Sequence, residues 1–165
     1  MDLTTYLASV KPEPDDPTYL LLKSHLKFEE LLWMYLHREL RNATALQGER
    51  LTFRQILAVA KAISTRQYMQ PGEDEYWIWE ALTKLHKLRN MLAHEATPPD
   101  LDGRISEYVR FLKDRIAPNA VRSIYITPGL TDRQVLSTLM MALYYIACHA
   151  LGFEISDGHT ASAKS

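Results

Sequence analysis

Apolar side chains recur along this chain at intervals of three and four, the period of an α-helix, in five stretches separated by proline and glycine. The first begins at Asp16-Pro17, where Asp16 can cap free amide groups and Pro17 suits the first helical position. It runs without a breaker to about Arg41, with Leu21, His25, Phe28, Leu32, Tyr35 and Leu36 on the inner face and Lys23, Lys27, Glu30, His37 and Arg41 outside. Thr52-Phe53-Arg54-Gln55 has the form of a capping box and opens a second helix, burying Phe53, Ile56, Leu57, Ala60 and Ile63. Pro71-Gly72 ends that stretch. The acidic Glu73-Asp74-Glu75 suits the positive end of a third helix, predicted from Asp74 to Ala93 or Glu95, before Pro98-Pro99. A fourth is expected over Gly103–Ile116. Ser123 to Thr127 reads as extended but is too short for a sheet, so the segment from Ala117 to Leu130 is taken as a packed connection. A second capping box, Thr131-Asp132-Arg133-Gln134, opens a fifth helix to about Leu151, apolar on nearly every side through Leu136, Leu139, Met140, Leu143, Tyr144, Ile146 and Ala147. The expected fold is all-α, an up-and-down bundle of about five helices in one domain over residues 17–152. An extended leader at 1–16 precedes it, and a polar, disordered tail at 153–165 follows.

Composition narrows the function classes. A chain of 165 residues with 47% hydrophobic side chains can bury a real core. The near balance of 19 basic and 20 acidic groups excludes a basic nucleic-acid tail and an acidic solvating chain. Charge is uneven, however: Arg38 to Arg66 holds six basic and two acidic residues, and Lys84, Lys87 and Arg89 stand in a stretch without acids. The single cysteine, Cys148, can form no internal disulfide and no cysteine-based zinc site, which points to a reducing compartment. The longest apolar run, Leu139 to Cys148, has ten residues, against about 20 for a membrane span. With no secretory pattern at Met1-Asp2-Leu3-Thr4 either, the expected location is cytoplasmic, away from the membrane.

One residue breaks the pattern. With Ile78 as reference, Leu82, Leu85, Leu92 and Ala93 form an apolar stripe on the third helix, and Arg89 falls inside it, about 20° from Ile78. An unpaired guanidinium cannot be buried there without a cost of several kcal/mol. Either a carboxylate meets it, with Glu29 of the first helix the candidate, or it faces a cavity or subunit interface that holds an anion. Asn90 and His94 follow it, four residues apart. Arg89 and His94 are separated by about 140° and about 7.5 Å, within the combined reach of their side chains beyond the helix end. A helix-terminal histidine also suits the negative end of the dipole.

Elsewhere the chemistry is sparse. His25, on the inner face of the first helix, and His86, one turn before Asn90, read as hydrogen-bonded core or rim residues. Trp33, Trp77 and Trp79 are spaced for packing. His94-Glu95 lacks the second histidine of a zinc-protease helix, and neither a Gly-rich phosphate loop nor a Gly-x-Ser-x-Gly turn occurs. No metal and no cofactor is expected.

The string Lys87-Leu88-Arg89-Asn90-Met91-Leu92-Ala93-His94-Glu95, at the end of a long amphipathic helix in a five-helix chain, resembles the HEPN superfamily (higher eukaryotes and prokaryotes nucleotide-binding). The resemblance covers about residues 17–152 in architecture and nine residues in motif. It implies a metal-independent endoribonuclease, often a toxin or phage-defence effector, that cleaves RNA by 2′-hydroxyl attack. Arg89 and His94 would then be catalytic, with Asn90, Glu29 and Lys87 supporting them or binding substrate. The implied partners are RNA, a second copy with its motif across a two-fold axis, and an antitoxin protein. Where related toxins paired with a minimal nucleotidyltransferase carry a modifiable tyrosine, two positions past the histidine, this chain has Ala96. The alternative is a non-catalytic regulator or adaptor similar to the mannitol-operon repressor group, in which Arg89 and His94 bind a ligand or brace the bundle.

Overall fold

The computed structural model describes residues 16–46, 48–66, 69–94, 98–119 and 131–154, with the backbone alone at 117–119. Among the described residues five α-helices make up an all-α bundle: α1 (Pro17–Glu39), α2 (Phe53–Ile63), α3 (Trp77–His94), α4 (Leu101–Asn119) and α5 (Asp132–Ala150). A short 3-10 turn, Ala43–Leu46, follows α1, and no strand occurs among the described residues.

The local signals at the helix ends are physical ones. Asp16 accepts a hydrogen bond from the Thr18 amide at 2.8 Å, with Pro17 in the first turn of α1. Both capping boxes form, each threonine hydroxyl accepting from the amide three residues on while the glutamine side chain returns to the threonine amide. The far end of α5 closes in a Schellman motif. There the amides of Gly152 and Phe153 bond to the carbonyls of His149 and Cys148, and Gly152 takes φ 75°, a conformation that glycine adopts without steric cost.

Two starts differ from expectation. The acidic run expected to open α3 forms three-residue turns instead, with Tyr76, Ile78 and Trp79 amides bonding to Glu73, Glu75 and Tyr76 carbonyls, so the α-helix begins at Trp77. The fourth helix begins at Leu101, two residues before Gly103. Asp100 turns the chain at φ 59° and lays its carboxylate against Gly103, where a Cβ would collide with it. The fourth helix also runs on to Asn119, beyond the expected end at Ile116. The rest of the expected connection at 120–130, with its extended stretch, lies outside the described residues, as do most of the leader and tail.

Helix α1 packs on α2, α3 and α5; α3 also meets α2 and α4, and α4 lies along α5. One continuous core results, with Phe28, Leu31, Leu32 and Tyr35 of α1 fully buried against Ile56 of α2, Leu82 and Leu85 of α3 and Leu139 and Leu143 of α5. The Phe28 and Tyr144 rings meet edge to face at 5.5 Å. Trp79 donates to the Met69 carbonyl at 3.2 Å and Tyr108 to that of Ala81 at 3.2 Å, so both polar tips are satisfied inside. The end of the bundle is tied by Arg38. Its guanidinium donates to the carbonyls of Leu151 and Gly152, pairs with Glu39 at 2.7 Å and lies over the Phe153 ring at 4.4 Å. Cys148 is fully buried and its thiol is pushed up to about 12, above all by burial. Among the described residues no helix is long and apolar enough to cross a membrane.

Candidate functional site

The residues that carry possible chemistry lie where α1 and α3 meet beside the start of α2. On α3 the buried positions are Trp77, Ile78, Trp79, Ala81, Leu82, Leu85, Leu88 and Leu92. In the last two turns this stripe is centred on Leu88 and Leu92, which leaves Arg89 and Asn90 half-buried at its rim and Ala93 exposed, although the helical period places Ala93 with the core. His86 sits on the same flank as Asn90, one turn earlier, and also half-buried.

This flank faces His25 of α1, which is only 3% exposed. His25 Nε2 and His86 Nδ1 are 3.1 Å apart, across 61 positions of sequence. Asn90 Nδ2 lies 3.1 Å from His86 Nε2, and Arg89 Nη1 donates to Asn90 Oδ1 at 3.3 Å. At the other end Glu29 Oε2 stands 4.0 Å from His25 Nδ1. The Phe53 ring, on α2, covers the pair, with ring centres 4.1 Å from His25 and 5.1 Å from His86. Five polar side chains therefore form one line from Glu29 through His25, His86 and Asn90 to Arg89.

The Glu29–Arg89 ion pair admitted by the sequence is not made. Glu29 turns to His25, its neighbour one helical turn away, and among the described residues Arg89 has no carboxylate within ion-pair distance. The guanidinium is half-buried and its one hydrogen bond in this region goes to a neutral amide.

Electrostatics follow from that arrangement. Burial above all, then the His86 ring and the Arg89 guanidinium, push His25 down to about 4. Burial, then Arg89 and then Arg54, lower His86 from its ordinary value. Arg54, exposed on the first turn of α2, thus acts on the same imidazole as Arg89. Two guanidiniums facing neutral rings leave net positive charge beside a half-open polar line, a surface that suits an anion.

Of the predicted site residues, Arg89, Asn90 and Glu29 belong to this line, whereas Lys87 and His94 do not. Both are exposed, and His94, the last residue of α3, has no hydrogen-bond partner among the described residues. Ala96 lies outside the described residues. The line also contains two histidines that the sequence suggested were core or rim, and Arg54, which stood out only as part of a basic stretch, acts on it electrostatically through His86. The His86/Asn90 spacing of four was the available signal, since it sets both on one helix face. Among the described residues no group of three or more His, Cys, Asp or Glu side chains is arranged to hold a metal ion. A shallow pocket of about 290 Å³ on α4 and α5 is lined by Ser106, Arg110, Lys113, Asp114 and Asp132, none of them a predicted site residue. The chain matches no family model, no curated protein and no solved structure.

Proposed function

We propose that the chain is a metal-independent endoribonuclease of the HEPN type, a toxin or phage-defence effector acting on RNA. The observation that carries this reading is the state of Arg89: a half-buried guanidinium with no carboxylate partner among the described residues, near the end of a helix that terminates in His94. A cation so placed is available to a phosphodiester, and the nearby Arg54 adds to its attraction.

In this reading the ribose 2′-oxygen attacks the adjacent phosphorus. The bond from phosphorus to the 2′-oxygen forms, the bond to the 5′-oxygen breaks, and a cyclic phosphate remains. One imidazole takes the 2′-hydroxyl proton and another returns a proton to the leaving oxygen, general acid–base help worth about 10²–10⁴ in rate. Arg89 binds the phosphate oxygens as charge accumulates on them, and Asn90 fixes the guanidinium. Exposed His94 serves as the proton-transfer group, with Lys87 and Glu29 flanking the substrate. Each chain supplies one such histidine, so two chains related by a two-fold axis complete the acid–base pair. Tyr19, Leu26 and Met34 are exposed on α1, the helix that carries Glu29, and offer an apolar surface for that pairing.

The test is incubation of the purified protein with total RNA in the presence of a chelator. Cleavage to cyclic-phosphate ends is expected, lost in R89A and in H94A while circular dichroism and oligomeric state stay as in the parent. Intact RNA at protein concentrations where the dimer forms overturns the reading. It would leave the non-catalytic regulator, a role with which the lack of a hydrogen bond from His94 to the polar line, among the described residues, agrees.

A further inference from the structure

The hydrogen bonds that run along α3 from Arg89 and cross to His25 on α1 have a direction, and one residue dictates it. A guanidinium can only donate, so Arg89 Nη1 must meet the oxygen of Asn90, at 3.3 Å. The Asn90 amide nitrogen is thereby turned to His86 Nε2, 3.1 Å away, which must accept. His86 then carries its proton on Nδ1 and donates to His25 Nε2 at 3.1 Å. His25 in turn keeps its proton on Nδ1, the nitrogen nearest Glu29. Every donor from the cation to the carboxylate points one way.

We propose that His86 and His25 are positioning residues for Arg89, fixing the aim of its guanidinium through a one-way chain that exists only while both rings are neutral. A protonated His86 presents N–H on both nitrogens. Asn90 must then turn its oxygen to His86 and its amide nitrogen to Arg89, where two donors confront each other and the guanidinium is released. The surroundings favour the neutral rings. His25 is faced by Glu29 on α1, Phe53 on α2, and His86 and Arg89 on α3; His86 is faced by Arg89 on α3 and Arg54 on α2. Glu29, the one anion of this set, approaches only to 4.0 Å, and both arginines oppose a further positive charge. The proposal rests on the ribonuclease reading only for the identity of the anion that Arg89 receives.

Two isosteres separate this role from mere packing. In H86Q the side-chain oxygen falls near the Nε2 position and can still accept from Asn90; in H86N the amide falls near Nδ1 and serves His25 alone. Long-range proton–nitrogen NMR spectra of the free protein at pH 7 should show His86 and His25 as Nδ1–H tautomers. An Nε2–H pattern for His86, or imidazolium signals from either ring, overturns the proposal. Nitrogen relaxation at the Arg89 side chain should show it rigid in the parent and in H86Q and loosened in H86N. Equal rigidity in H86N and H86Q overturns it. Affinity for a 2′-O-methyl RNA oligonucleotide, which cannot be cleaved, should fall about tenfold in H86N and be restored in H86Q. If the parent itself does not bind that oligonucleotide, the ribonuclease reading fails, while the tautomer and relaxation results still decide the chain.

Discussion

Two imidazoles with facing nitrogens 3.1 Å apart, covered by the Phe53 ring, make protonation costly, and that cost enters stability. His25 titrates at its ordinary value near 6.5 in the unfolded chain and at about 4 when folded. Its contribution is therefore fully present above about pH 6.5 and is lost as pH falls toward 4, because the unfolded state binds the proton first. His86, lowered in the same direction, adds to the slope. Melting temperature should fall between pH 6.5 and 5, above the range where ordinary carboxylates titrate, and H25Q should flatten that fall. A parent protein with constant melting temperature across this window contradicts the burial of a neutral pair. At this scale the helical period alone marked Arg89 as out of place, but not its partner. Glu29 and His25 lie one turn apart on α1, and which of them meets α3 depends on how the two helices are rotated against each other. That rotation is set by side-chain volumes from all the packed helices, information that no local period contains.

Elements were legible where their signals are local and chemical. The boxes at Thr52/Gln55 and Thr131/Gln134 depend on four consecutive residues and form as expected. T52A should cost about 1 kcal/mol in denaturant unfolding, with T52S close to the parent. An unchanged midpoint for T52A would show that tertiary packing alone holds the start of α2. The starts of α3 and α4 were less legible because each balances alternatives. Acidic residues favour a helix N-terminus, yet burial of Trp77, Ile78 and Trp79 places the first α-turn after them. Gly103 looks like a boundary by propensity, but inside α4 it provides the space that the Asp100 carboxylate fills.

Among the described residues the layout follows from α1, which packs on α2, α3 and α5 and places His25 and Glu29 at the junction with α3. The all-α class followed from periodicity, whereas the convergence of His25 with His86 is a long-range contact visible only after folding. One property of the interior serves the open question of pairing between chains. Cys148 is the only thiol in the sequence, and it lies fully buried with its ionisation suppressed, so it resists alkylation in the native state. A cysteine introduced by H94C, at an exposed helix end, would thus accept a nitroxide with no background labelling. Pulsed dipolar spectroscopy should give a single short inter-spin distance if two motifs stand face to face, and no dipolar modulation if the chains remain apart.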